Sequence, residues 1–300
     1  MGAEFFETGS KGAGSMSIRI IQEKLESYKA RSLQEETNAV KEITQEIVLA
    51  ALARSAFFKA AAFQGGTCLR ILYGLERFSE DLDFVLQKPD PQFSFEAFLG
   101  PLRQEFEAYG YNLQIDDRSK PDVAVKKLFL KDHSIGKVLS LQFKRPRDFP
   151  LPIKVKVEID TNPPVGSHFA QQYLDFPFPF AIIVQDPPSL FAGKCHALLC
   201  REYVKGRDWY DFVWYVSRKT PVNYALLSNA LDQIGPWQGQ GIQTGKEWLV
   251  AALEKKIRAI DWAGAKRDVE RFVLPAQLPS LELWGTAFFL DRLEKLRTSL

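Results

Sequence analysis

Cysteine is scarce in this 300-residue chain: Cys68, Cys195 and Cys200 are an odd set, with no CxxC or other metal-ligand spacing. That argues against a disulfide framework and a thiolate metal centre, and reads as reduced thiols. Long apolar runs are lacking too. None approaches the roughly 20 residues that a membrane helix needs, so no membrane partner is expected. No stretch reads as a signal peptide, and the expected location is the cytoplasm. Charge of one sign is not in excess, since the formal net charge is +2 with 25% of residues charged. A global polyelectrolyte is excluded, although a local basic patch can hide in a balanced total. Internal repeats and low-complexity segments are also missing. What is present is ordinary globular composition, 46% hydrophobic, enough for one large domain or two smaller ones.

Residues 1–15, MGAEFFETGSKGAGS, are Gly/Ser-rich and sit ahead of Met16. They read as an appended leader or a disordered tail. From Ile18 to Ala62 apolar residues recur at three and four (Ile43, Ile47, Leu49, Ala50, Leu52), which predicts helix. Thr67–Tyr73 reads as a short helix after Gly65-Gly66, 82–86 as a strand, and 95–109 as an amphipathic helix. Segments 123–130 and 138–144 read as strands. Residues 153–160, IKVKVEID, alternate strictly and are the clearest strand of the chain. The proline-rich passage 175–189 reads as a loop with a short edge strand. Helices are expected at 189–203, 206–217, 221–234, 245–260, 263–273 and 280–298. The expected class is α+β: a mixed sheet flanked by helices over 16–188, then a C-terminal helical bundle over 189–300 that completes the site.

The stretch GGTCLRILYGLERFSEDLDF, residues 65–84, concentrates the chemistry. A glycine pair lets backbone approach a ligand closely. A helix starting immediately afterwards offers free N–H groups to an anion. Gly65, Gly66 and Thr67 are therefore a candidate phosphate cradle, though a glycine pair is also simply a turn. Asp81 and Asp83 are two apart, so on a strand both carboxylates face one way and Leu82 and Phe84 face the core. Two adjacent like charges need a cation between them, and a hard divalent ion suits oxygen ligands. A solvated strand end is the plainer alternative. The strand 153–160 offers Glu158 and Asp160 on one face with Lys154 and Lys156. Lys194 is placed near a helix start, where the dipole gives a cation no reason to be. Asp208 and Asp211 share a helix face at three-residue spacing. Trp209, Tyr210, Phe212 and Trp214 read as packing residues, and His196 as structural.

The order of glycine turn, short helix and DxD strand resembles the nucleotidyltransferase fold related to DNA polymerase beta. More specifically, GGTCLRI, RFSEDLDF, KVEID and GKCHALLCREYVKGRDWYDF together resemble the AbiEii/AbiGii nucleotidyltransferase toxins of bacterial toxin–antitoxin and abortive-infection systems. The resemblance spans roughly residues 40–275. It implies Gly65, Gly66 and Thr67 at the nucleotide phosphates with Arg70 behind them, and Arg77 and Ser79 ahead of the metal pair Asp81 and Asp83. It implies Lys194 at the triphosphate, and Asp208 as an essential acid with Arg207 and Asp211 as companions. Glu158 holds the commoner third-carboxylate position, but Asp160 is acidic too and the choice stays open. Cys68 stands where Ala or Ser is common.

The implied cofactor is Mg²⁺, with Mn²⁺ as a substitute. The implied reaction moves a nucleoside monophosphate from a nucleoside triphosphate to an acceptor hydroxyl, with Glu158, Asp160 or Asp208 helping deprotonation. The implied acceptor is the 3′ end of tRNA, or a protein hydroxyl, and the implied partner a separately encoded antitoxin. Basic candidates for RNA are Lys126, Lys127, Lys131, Lys144, Arg145 and Arg147, then Lys255, Lys256, Arg258, Lys266 and Arg267. Rival readings are a non-catalytic nucleotide-binding protein of the same fold, a two-carboxylate phosphohydrolase, and a transferase acting on an aminoglycoside.

Overall fold

The computed structural model describes residues 8–143, 151 and 153–299. The first half of the chain runs α1 (Thr8–Ser27), α2 (Leu33–Arg54), β1 (Ala61–Gln64), α3 (Gly65–Tyr73), β2 (Asp81–Leu86), α4 (Glu96–Ala108), β3 (Gln114–Asp117), β4 (Val125–Asp132), α5 (Ile135–Val138) and β5 (Ile153–Asp160). After β6 (Phe169–Leu174) and β7 (Phe180–Gln185) come α6 (Pro187–Cys200), α7 (Gly206–Ser217), α8 (Tyr224–Gln233), α9 (Lys246–Ala259), α10 (Trp262–Glu270), α11 (Leu278–Leu281) and α12 (Thr286–Ser299). Two compact units interleave along this order. One holds Met1–Phe63, Glu80–Asn162 and Gln171–Ile183, and the other Gln64–Ser79, Pro163–Ala170 and Val184–Leu300. Asp81 and Asp83 thus belong to the first, and the glycine turn with Lys194, Asp208 and Asp211 to the second.

The first unit is built on the sheet. Its strand order is β3-β4-β5-β2-β1-β7-β6, with β2 parallel to β5 and β3 and β4 antiparallel to their neighbours. The sheet is therefore mixed and flanked by helices, as expected. Strict alternation in β5 buries Ile153, Val155, Val157 and Ile159 and leaves the charged positions between them outward. On β2 the same rule buries Leu82 and Phe84, and Phe84 meets the rings of Phe57 and Phe63 at 5.0 and 5.3 Å. The helix α2 packs against α4 and β5 and is buried from Val40 to Leu52 except at Lys41. It starts at Ser32, whose hydroxyl accepts from Glu35 N–H, while the Glu35 carboxylate accepts from Arg31 N–H. That reciprocal cap, with Lys29 at φ +49°, splits the predicted helical tract 18–62 into two helices. Helix α1 begins at Thr8, so its first turns run through residues set aside above as a leader.

Three further expectations are corrected. In the tract read as a strand over 138–144, residues 135–138 make a helical turn and 139–143 are irregular, and Lys144 lies outside the described residues. The short strands β1, β3 and β6 lie in segments not read as strands. The strand inside the proline-rich passage is β7, which lies between β1 and β6, so β6 takes the edge.

The second unit is helical. Asp186, Asn223 and Asp261 cap α6, α8 and α10 by accepting from Ser189, Leu226 and Gly264 N–H. Pro187 and Pro188 occupy the first turn of α6, where no N–H is needed. The expected packing role of the aromatic residues of α7 holds for Trp209, which meets Trp262 and Phe289 at 5.2 and 5.3 Å. Gly206 is required by a close approach, because a Cβ there would stand 1.9 Å from the carbonyl oxygen of Ala265 on α10.

Candidate active site

In the first unit the register sets the candidate carboxylates. Asp81 aligns with Lys156 and Asp83 with Glu158, while Asp160 lies opposite Val85. Lys156 Nζ stands 3.1 Å from Asp81 Oδ2 and 2.8 Å from Glu158 Oε2, and Lys127 Nζ is 3.2 Å from Glu158 Oε1. Burial pushes the Glu158 carboxyl up, but the hydrogen bond and charge of Lys156, with Lys127 beyond it, outweigh that and hold it below the ordinary range. Asp160 goes the other way: burial raises it, against one N–H from Asn162.

Among the described residues no three His, Cys, Asp or Glu groups stand together closely enough to hold a metal ion by themselves. The donor set nonetheless suits a hard cation. It is all oxygen, and an ammonium already sits between Asp81 and Glu158.

In the second unit Gly65 takes φ +80°, in the left-handed region that favours glycine. Gly66 has a packing reason: a Cβ there would lie 2.5 Å from Arg77 Nη2 and 3.0 Å from Ser79 Oγ. Gln64, which precedes α3, makes no side-chain cap. Thr67 is fully buried. Arg70 donates to the Glu76 carbonyl at 2.7 Å.

Arg77 forms a fork on Asp211, its Nε and Nη2 donating to the two carboxylate oxygens at 2.7 Å each. Lys194 Nζ lies 2.6 Å from Asp208 Oδ1 and 2.8 Å from Asp211 Oδ2, and Arg201 Nε lies 3.2 Å from Asp208 Oδ2. The pattern thus brings Arg77, Lys194, Asp208 and Asp211 together. Lys194 is not near a helix start, however: α6 begins at Pro187 and the lysine sits at mid-helix. Its partners, not the dipole, account for it. Arg207 is elsewhere, its guanidinium 4.1 Å over the Phe272 ring. His196 is structural, with Nε2 3.1 Å from the Ile234 carbonyl.

Arg77, Asp208 and Asp211 are buried, while Lys194 keeps 14% and Arg201 33% of its side-chain surface in solvent. Burial raises Asp208, but Lys194 and Arg201 more than compensate and bring it down to about 2. Asp211 is likewise held low by Arg77 and Lys194 against burial. Arg201 is the member that the sequence reading missed. Its signal was the seven-residue step from Lys194, two helical turns on the same side.

The basic candidates are mostly engaged. Lys126 is buried and donates to the Lys120 and Pro121 carbonyls. Lys131 pairs with Asp116, Arg258 with Glu254 and Lys266 with Glu282. Lys256 donates to the Leu199 and Arg201 carbonyls. Lys144, Arg145 and Arg147 lie outside the described residues.

The family model described as "Nucleotidyl transferase AbiEii toxin, Type IV TA system" matches residues 47–290, and the chain belongs to that family. Among solved structures, JHP933 from Helicobacter pylori is 15% identical with a TM-score of 0.46, covering 86% of this chain and 89% of that one. A second, described as "Crystal structure of putative nucleotidyltransferase from H. pylori", is 17% identical with a TM-score of 0.43, covering 84% and 96%. No curated protein matches the chain. No helix among the described residues is long and apolar enough to cross a membrane.

Proposed function

We propose that this chain is a Mg²⁺-dependent nucleotidyltransferase. In this reading it moves a nucleoside monophosphate from a nucleoside triphosphate to a hydroxyl at the 3′ end of tRNA. It acts in the cytoplasm as the toxin of a pair whose antitoxin is encoded separately. The observation that carries the reading is the open face of β2 and β5, where Asp81 and Asp83 point one way and Glu158 is in register with Asp83, in a chain of this family.

Asp81, Asp83 and Glu158 would hold Mg²⁺, displacing Lys156. The ion, or Mn²⁺ in its place, supplies charge to offset that developing on the transferred phosphoryl group. Register favours Glu158 over Asp160 for this task. Asp160, shifted up by burial, is the better proton acceptor for the incoming hydroxyl. Asp208, brought down to about 2 by its cations, is a poor base and serves to hold Lys194. An ammonium has three donors, and Lys194 commits to two carboxylates, so one remains for a phosphate oxygen. The glycine turn at the start of α3 would approach the triphosphate with its backbone N–H groups.

The test incubates the protein and Mg²⁺ with each α-phosphate-labelled nucleoside triphosphate and total bacterial tRNA. An Asp81→Ala, Asp83→Ala double variant is the control. Label on RNA from one nucleotide, lost in the variant, is expected. Label on protein or on an added aminoglycoside instead would keep the chemistry and overturn the acceptor. Label nowhere would overturn the transferase.

A further inference from the structure

A line of contacts runs through the second unit from the glycine turn to Lys194. A Cβ on Gly66 would stand 2.5 Å from Arg77 Nη2, so the guanidinium lies directly against the backbone of the turn. The same Nη2 donates to Asp211 Oδ2 at 2.7 Å. That oxygen also takes Lys194 Nζ at 2.8 Å, and the ammonium reaches on to Asp208 Oδ1 at 2.6 Å. One nitrogen and one oxygen thus link the turn to the lysine, the two features that the proposed function gives to the phosphates.

Each link is held in place. Arg77 is 3% exposed and Asp211 0%, which leaves neither open to a ligand in solvent. Beside its fork on Asp211, Arg77 donates through Nη1 to the Phe78 carbonyl at 3.0 Å, and Phe78 N–H donates to the Phe272 carbonyl at 2.7 Å. A two-pronged arginine–carboxylate pair sets an angle as well as a distance. The lysine on α6 is therefore located by an arginine from the segment after α3 and by carboxylates on α7. A free surface lysine loses rotamer freedom when it meets an anion, whereas here that freedom is lost on folding. A turn and an ammonium held at one spacing suit a ligand that meets both together, as linked phosphates do.

We infer that Arg77 and Asp211 are positioning residues: they do not touch the triphosphate, and they fix the Lys194 ammonium beside the glycine turn so that both meet one polyphosphate chain. Gly66 then owes its lack of a side chain to Arg77 rather than to the ligand. The inference rests on the proposed function for its ligand, but it is a statement about binding and is read without turnover.

The experiment measures binding of inorganic tripolyphosphate with Mg²⁺ to the full chain by isothermal titration calorimetry. Thermal melts confirm that each variant folds. Lys194→Met is expected to bind at least about tenfold more weakly, since a charged hydrogen bond is lost, and it leaves each carboxylate with an arginine. Arg77→Lys keeps the charge but not the fork. It is expected to weaken binding about tenfold in the wild-type chain and within about twofold in the Lys194→Met chain, because a residue that acts through the lysine has nothing left to act on. A residue that only supports the fold would cost the same factor in both chains. Gly66→Ala, which pushes Arg77 aside, is expected to lose a similar factor, and to add nothing to Arg77→Lys. Asp211→Asn takes the place of Arg77→Lys in the cycle if that variant does not fold. Equal losses in both chains, or a loss in neither, would overturn the inference while the Lys194 contact stands. Wild-type protein that does not bind tripolyphosphate, or Lys194→Met that binds it as wild type does, would overturn the triphosphate assignment and the inference with it. The expected coupling without label transferred to any acceptor would overturn the transferase and leave the positioning pair standing.

Discussion

On the β2–β5 face, Asp81 and Glu158 share Lys156 while keeping 38% and 19% of their side-chain surface in solvent. Around Asp211, the carboxylates of Asp208 and Asp211 keep 4% and 0%. Both clusters set carboxylates against cations, and they differ in what surrounds them. Water screens the first, so its lysine can leave and another cation can take its place at small free-energy change. The carboxylates of the second are almost shut off from solvent, so they depend closely on their cations. Exchangeable charge suits the metal-binding role proposed for the β2–β5 face, and fixed charge suits a cluster that must hold a geometry.

The largest effect should come from the fixed cluster. Asp211→Ala leaves Arg77 and Lys194 without their shared carboxylate, and a loss of about 3–5 kcal/mol is expected in urea unfolding. A loss under about 1 kcal/mol would erase the distinction between the clusters. Next comes Glu46, an intermediate case that sharpens it. Buried in α2, it lies 3.2 Å from Lys24 of α1, and burial lifts its pKa from 4.5 to about 7 despite that lysine. A carboxyl raised on folding contributes stability below its unfolded value and loses it as pH climbs through about 7. Glu46→Gln should therefore stabilise the chain by roughly 2–3 kcal/mol at pH 8 and hardly at all at pH 4. Equal effects at both would show that Lys24 compensates fully.

Acid titration of the fixed cluster has the opposite sign. Asp208 is lowered from 3.8 to about 2, so its contribution is complete above the higher value and disappears as pH falls through the lower. Near-ultraviolet circular dichroism of Trp209 and its neighbours should hold down to about pH 3 and fail below it. The smallest effect is expected from the open face. Asp81→Asn should change stability by less than about 1 kcal/mol while abolishing label transfer. A large loss of stability there would mean that Asp81 is structural.

These contrasts were unevenly legible in the sequence. The open face could be read because it rests on local rules: two-residue alternation puts Asp81 with Asp83, and Glu158 with Lys156, whatever the strands pack against. The same holds for α7, where the predicted span 206–217 matches the observed one. The strand β1 was missed because Ala61, Ala62 and Phe63 are all buried, and a short run without alternation cannot be told from a buried helix. Polar β3, with the sequence QIDD, gave too little pattern of any kind. The buried fork of Arg77 on Asp211 joins residues that no local rule connects. Nor does any local rule show that Arg77 Nη2 lies beside the second glycine of the turn.

That fork also has a temporal side. Arg77 and Asp211 are separated by 134 residues, and at ribosomal rates of about 5–20 residues per second the arginine waits on the order of ten seconds for its carboxylate to be made. Phe78 N–H donates to the Phe272 carbonyl, so the segment carrying the glycine turn is fastened later still. A ribosome that stalls or a message that ends within this interval yields a chain with its DxD strand already made and its glycine turn unmoored. Assembly of the second unit is therefore completed only when translation has almost finished.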